Sequence, residues 1–285
     1  MKVLFIVFNR PDLTRVVLSR IRDAKPARLY VFADGPRYNK LEDVNKCKRV
    51  RSIISEEAGC PDVRTQFIER NLGPLHSVKC ALDWYFNHED DGIIIEDDCL
   101  PDMSFFSFCE ELLSKYRENK KIFMISGSNF IPNHAIQFSY LFSRLTLIWG
   151  WATWKRSWLE LDTRMKEWPN YIKTKDLDYF GKHRELVFRL INEQYLNPKL
   201  LTWGTLWRAT FLINRGVSII PKNNLVRNIG FGHPDATRHR RYHRVSETPV
   251  EPIRFPLTHP PDISPDKKFD EKSLDFYYCE NNVNS

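Results

Sequence analysis

The chain has 285 residues, of which 42% are hydrophobic, and its 43 Lys and Arg against 36 Asp and Glu give a formal charge of +7. This composition excludes a disordered or fibrous chain, and at this length a core forms without disulfide staples. The charge excess suits an anionic ligand or surface; it is too diffuse to indicate nucleic acid, and no helix-turn-helix pattern or zinc-ligand spacing accompanies it.

Six cysteines without a C-x-x-C pair predict a reducing compartment and mostly buried thiols. The N-terminal apolar run spans only Val3 to Phe8, and Asn9, Arg10, Pro11 and Asp12 follow at once, so it reads as a strand and not as a secretion signal. No run approaches the roughly 18 apolar residues of a membrane span. A cytoplasmic protein is expected, with room for peripheral association at the inner face of the membrane.

Val3 to Phe8 predicts a buried parallel strand. Leu13, Val16, Val17 and Ile21 follow at helical spacing, with Asp12 placed to cap the helix. Leu29 to Ala33 predicts a second strand ending in Asp34-Gly35-Pro36, and Val63 to Ile68 a third. Leu75, Val78, Leu82 and Tyr85 mark a helix, and Ile93-Ile94-Ile95 a fourth strand running into Glu96-Asp97-Asp98. This alternation predicts an open α/β sheet, in which ligands bind beyond the carboxyl ends of the strands. Asn9 and Arg10, Asp34 and the acidic triplet all fall at such ends. Further on, a helix is expected over Met103 to Tyr116, a strand over Ile122 to Ile125, a helix over 186–196 and a strand over Val217 to Ile220. All eight Trp lie between Trp84 and Trp207, five of them between Trp149 and Trp168. The Pro-rich stretch from Val245 is expected to wrap the core or to remain partly disordered.

The triplet carries most of the functional weight. Three consecutive carboxylates repel one another unless a cation is present, and hard divalent cations bind carboxylate and diphosphate oxygens together. Such a metal neutralises a diphosphate leaving group. A solvated acidic turn is the plain alternative, as Glu89-Asp90-Asp91 illustrates, but no core strand leads into that one. Asp34 can accept from a base or ribose, or simply form a turn. Arg10 and Arg37 match phosphate geometry.

The ordered series resembles a nucleotide-sugar glycosyltransferase of the GT-A class. Phe8-Asn9-Arg10-Pro11 is similar to that class's opening, Asp34 to the acid near the uracil, and Arg70-Asn71-Leu72-Gly73 with Ser77 to the segment under the nucleotide. Glu96-Asp97-Asp98-Cys99-Leu100-Pro101-Asp102-Met103-Ser104-Phe105-Phe106 resembles the acidic motif of the inverting N-acetylglucosaminyltransferase I family. Gly150-Trp151, Trp154, Leu161 and Lys166-Glu167-Trp168-Pro169 resemble its Gly-Trp and Trp-Pro segments. Bacterial glycosyltransferases of surface-polysaccharide clusters share Trp203 with Trp207, Gly216, Asn224 to Gly232, and Asp235-Ala236-Thr237.

The resemblance covers roughly residues 2–240. It implies a Rossmann-like GT-A fold, a single mixed sheet flanked by helices, with a nucleotide-sugar-binding half at 1–100, a Trp-rich acceptor half at 101–244 and a C-terminal extension at 245–285. It implies Asp98 as ligand to Mn²⁺ or Mg²⁺. Glu96 and Asp97 would position sugar and ribose, and Trp151 would line the sugar cleft. The donor would be a UDP-sugar and the acceptor a glycan or lipid-linked oligosaccharide, with inversion at the anomeric carbon.

The chain departs from this pattern at the general base. Related enzymes supply an Asp where this chain reads Trp203-Gly204-Thr205-Leu206-Trp207, and glycine cannot take a proton. Glu193 and Asp178 are the substitute carboxylates, a different transfer geometry is a second explanation, and a protein that only binds the nucleotide sugar is a third. The Arg/His cluster from Arg227 to Arg244 is placed to clamp a phosphate, and His233 or His239 to reach a metal. A nucleotidyltransferase would also use strand-end carboxylates, but no Gly-rich phosphate loop follows the first strand.

Overall fold

The computed structural model describes residues 1–236 and 243–279. Strand β1 (Lys2–Val7), helix α1 (Pro11–Asp23), β2 (Arg28–Ala33), α2 (Leu41–Glu57), β3 (Val63–Phe67), α3 (Gly73–Phe86) and β4 (Asp91–Glu96) open the fold. β1 pairs in parallel with β2 and β4, and β2 with β3. Parallel neighbours need a crossover that returns the chain to the same end of the sheet. The helix α2, 17 residues long, supplies the one between β2 and β3, where the sequence pattern showed none. Its apolar face is diluted, because Leu41 and Val44 are exposed while Cys47, Val50, Ile53 and Ile54 are buried.

There follow β5 (Cys99–Pro101), α4 (Met103–Lys115), β6 (Ile122–Ser126), β7 (Tyr140–Ser143), β8 (Trp151–Trp154), and the single turns α5 (Lys155–Trp158) and α6 (Trp168–Tyr171). Then come α7 (Arg184–Leu196), α8 (Trp203–Ile213), β9 (Val217–Pro221), β10 (Val226–Asn228) and α9 (Lys267–Leu274). The main sheet has eight strands in the order β3-β2-β1-β4-β8-β6-β9-β7. It is mixed and flanked by helices, as expected. A separate antiparallel ribbon of β10 and β5 accompanies it, so the strands do not form one sheet.

The strand β8 lies antiparallel between β4 and β6, and it pairs Trp151 with Ile94 and Trp154 with Asp91. Successive β1 side chains enter opposite layers, Val3, Phe5 and Val7 on one face and Leu4 and Ile6 on the other. This two-sided burial explains the unbroken apolar run. At the start of α1, Arg10 holds the cap position without a side-chain cap bond, and Asp12 lies in the first turn, inside the helix. The C-terminal stretch wraps the core: Asp266 caps α9, accepting from the Phe269 amide, and Phe269 is buried. The described cysteines Cys47, Cys60, Cys80, Cys99 and Cys109 form no disulfide, and three of them are buried.

Candidate active site

The triplet stands where the central strand ends. Backbone holds it on two sides: the Asp97 amide donates to the Ile6 carbonyl, and the Ile229 amide to the Asp98 carbonyl. Arg10, delivered by the neighbouring β1, places its guanidinium against two of the three acids. Its Nε donates to Asp97 Oδ2 at 3.3 Å, one terminal nitrogen donates to Asp97 Oδ1, and the other to Asp98 Oδ2 at 3.0 Å. Burial opposes the charge on Arg10, but Asp97 and Asp98 outweigh it and raise its pKa above the ordinary value. Burial first, then Asp98 and Asp97, push the Glu96 carboxyl above the usual carboxylate range.

Glu96, Asp98 and Arg10 open onto a cavity of about 380 Å³, with Asn228 and Gly230 beside them. Gly230 is a close-approach glycine: a Cβ there would lie 2.6 Å from Asp98 Oδ2 and 2.9 Å from the Arg10 guanidinium. Aromatic rings line much of it, among them Phe130, Trp149, Trp203, Tyr277 and Tyr278. Asp97 is buried behind the wall, salt-bridged to Arg10.

The other residues expected to bind nucleotide form a separate group outside the lining. Buried Asp34 accepts from the amides of Gly35 at 2.8 Å and Leu72 at 2.9 Å and from Asn71 Nδ2 at 3.0 Å. Buried Ser77 lies near the same carboxylate and favours its charged form. Gly73, at φ +75°, starts α3 with open space around its α-carbon. Arg37 pairs with Asp43 at 2.6 Å, and Asn9 donates to the same carboxylate. Those bonds, the Arg37 bond foremost, lower the Asp43 pKa to about 2.

Trp151 is only 1% exposed and sits in the core of β8, stacked on Trp203 at 5.9 Å. Its Nε1 is buried without a partner, and the tryptophans that reach the cavity are Trp149 and Trp203. Trp154 and Trp158 are buried and donate to the Leu113 carbonyl and to Asp83. Gly204 does line the cavity. Glu193 and Asp178 do not: they are exposed and paired with Arg189 and Arg184. His233 faces Asp12 at 3.1 Å, whereas Thr237 and His239 lie outside the described residues. Arg244, from the basic cluster, donates to the Phe276 carbonyl at 2.9 Å and lies over the Phe276 ring, tying the tail down.

Arg208 and Gln194 also line the cavity. The sequence pattern did not single them out, although a signal existed: Arg208 is the one charged residue in the helix WGTLWRATFLI. No three His, Cys, Asp or Glu side chains among the described residues are arranged to hold a metal ion. No described helix is long and apolar enough to cross a membrane.

No family model matches the chain, and no curated protein matches it. Among solved structures the chain is similar to a cytidylyltransferase from Leptospira borgpetersenii serovar Hardjo-bovis, at 10% identity over 69% of this chain and 71% of that one, with a TM-score of 0.36. It is also similar to HddC from Yersinia pseudotuberculosis, at 10% identity over 54% of this chain and 77% of that one, with a TM-score of 0.32. Likenesses this distant carry no weight for function, which has to be read from the site itself.

Proposed function

We propose that the chain is a metal-dependent glycosyltransferase of the GT-A type that moves a sugar from a UDP-sugar to a glycan or lipid-linked acceptor. The observation that carries this reading is the division of labour within the triplet. Asp97 is buried against Arg10, while Glu96 and Asp98 face a cavity large enough for a sugar and walled by aromatic rings. Aromatic faces suit the apolar C–H surfaces of sugar rings.

Asp98 fits a cation of limited protein coordination. Gly230 leaves the space beside its carboxylate free of a side chain. Hard divalent cations accept one carboxylate and complete their shell with diphosphate and water oxygens. Bound there, Mn²⁺ or Mg²⁺ would act as a Lewis acid toward a diphosphate leaving group. Arg10 supplies fixed positive charge beside it and holds the acids in register. Glu96 is the remaining cavity carboxylate, and we assign it the sugar contact. The separate group of Asp34, Asn71, Gly73, Ser77 and Arg37 shapes the strand-end surface next to Arg10 where a nucleotide would lie.

Release of UDP from a panel of UDP-sugars, with and without Mn²⁺, tests the reading and identifies the sugar together. Asp98→Asn is expected to abolish the metal-dependent release. Full activity in that variant would overturn the assignment. UDP-sugar binding without release or transfer would instead favour a nucleotide-sugar-binding protein, a reading that Gly204 supports by lining the cavity where related enzymes carry an acid.

A further inference from the structure

The cavity extends well past the acids, and its character changes along the way. The helices α7 and α8 are joined by a short 3₁₀ turn, Pro198–Leu200, and the Gln194 side chain accepts from the Thr202 amide at 3.0 Å across that turn. The two helices therefore run antiparallel as a hairpin. Gln194, Thr202 and Gly204 occupy its closed end. Two turns away along each helix, Val187 and Leu212 face the cavity with Phe180 and Leu274. These four belong to one buried apolar cluster.

Arg208 stands between the two ends, one turn after Gly204 and one turn before Leu212, on the same face of α8. The other cavity arginines are compensated, Arg10 by Asp97 and Asp98, and Arg144 by Asp176 at 2.5 Å. Among the described residues Arg208 has no carboxylate partner; its guanidinium meets the Tyr278 hydroxyl at 3.4 Å. An uncompensated guanidinium on a partly enclosed wall is a binding group for an anion, and phosphate matches its geometry. Below it Val187, Leu212, Leu274 and Phe180 make the wall largely apolar; its polar members are Arg144, paired with Asp176 and lying over the Phe180 ring, and Ser273, whose buried Oγ has no partner.

We propose that this half of the cavity binds an amphiphilic organic phosphate, its phosphate on Arg208 and its hydrocarbon chain between α7, α8 and α9. The proposal rests on the transferase reading only in naming the occupant as the acceptor: a lipid-linked phosphate, not a free glycan. Binding itself involves no covalent step and needs no donor.

The test uses the full chain and a series of n-alkyl phosphates of increasing length, with inorganic phosphate, glucuronic acid and UDP as comparison ligands in calorimetric titrations. Affinity is expected to rise about fourfold per buried methylene until the arm is full. Arg208→Gln should weaken alkyl phosphates at least tenfold, with partial recovery in Arg208→Lys. Ser273→Ala should leave their binding equal or tighter, since it removes an unpartnered hydroxyl from the path of the chain.

Affinity independent of chain length would overturn the proposal. So would weaker binding in Ser273→Ala, or glucuronic acid binding as tightly as the longest phosphate. Loss of UDP binding but not of alkyl phosphate binding in Arg208→Gln would assign the arginine to the donor and also overturn it. Failure of the two readings is distinguishable. Chain-length-dependent binding without any UDP binding refutes the transferase and leaves the amphiphile site standing, and UDP binding with a flat series does the reverse.

Discussion

Arg10 is one guanidinium serving two acids, and removing it would be felt first in Asp97. That carboxylate is 2% exposed and would remain buried with no cation beside it. Breaking a buried pair by deleting one partner costs about 3–5 kcal/mol. Arg10→Ala is therefore expected to lower unfolding stability in urea by about that much, whereas Asp98→Asn, whose carboxylate also faces the cavity, should cost far less. Gly230→Ala tests the same spot from the other side: its Cβ would press on Asp98 and Arg10. Weaker binding of Mn²⁺ and UDP is expected there, with the far-ultraviolet circular dichroism unchanged. The acids and Arg10 were legible because they follow apolar strands directly. Gly230 was not, since its role depends on a loop 132 residues away from Asp98 in sequence coming within van der Waals distance. Arg208 was legible only in principle, as a lone charge in an apolar helix, and Trp151 shows the converse: a motif position that the fold spends on the core.

At the scale of elements, strands buried on both faces were readable from their unbroken apolar runs, and α3 and α4 from their 3- and 4-residue spacings. The helix α2 was hidden by its exposed apolar residues, and α8 by being apolar nearly all round, which blurs helical periodicity. The strand β8 was masked because its four residues, Trp151 to Trp154, are all buried and include Thr153. The helix α9 lay in a Pro-rich stretch, and it docks through one residue in particular. Asp270 accepts from the Ser143 hydroxyl, from the Arg144 amide at 2.9 Å and from the Tyr179 hydroxyl at 2.9 Å. Burial pushes its pKa to about 7 in the folded chain. The unfolded chain releases that proton at an ordinary carboxylate pKa, near 3.9. The Asp270 contribution to folding stability should accordingly be largest below about pH 4, fall as the pH rises through the interval, and level off above about pH 7. Asp270→Asn keeps an acceptor for Arg144 and Tyr179 and removes the charge. It is expected to gain stability over the wild type at pH 8, by at most about 4 kcal/mol from a shift of roughly three units, and to show no gain at pH 4. Urea midpoints at the two pH values check this, and an equal effect at both would exclude Asp270 as the titrating group.

The whole molecule is organised around the seam where a parallel half-sheet, β3-β2-β1-β4, meets the antiparallel strand β8. The acids lie at the end of the last parallel strand, and the cavity walls come from segments on the far side of the seam. The connection after β10 closes over this junction: Ile229 bonds Asp98, His233 faces Asp12 on α1, and Asp235 meets Lys46 on α2 at 2.7 Å. The open α/β character was readable in the first hundred residues because alternation there is local. The seam was not, because it depends on pairing Asp91 with Trp154 and Ile94 with Trp151, contacts that no local pattern encodes. A ligand bound at the seam touches both sides and is absent from the unfolded chain, so it must raise the melting temperature by mass action. At 100 times its dissociation constant, UDP with Mn²⁺ should add about 2.7 kcal/mol, or roughly 5 °C for a chain of this size. The increment has two sources, the nucleotide and the cation it shares with Asp98. Asp98→Asn should therefore retain a smaller shift with UDP alone and lose the extra shift on adding Mn²⁺. Lys46→Ala, which does not itself line the cavity, should retain both shifts while starting from a slightly lower melting temperature, because its ion pair with Asp235 is partly exposed and worth at most about 1 kcal/mol. A Mn²⁺-dependent shift that survives in Asp98→Asn would place the cation elsewhere, and the acids at the seam would then serve only to hold Arg10.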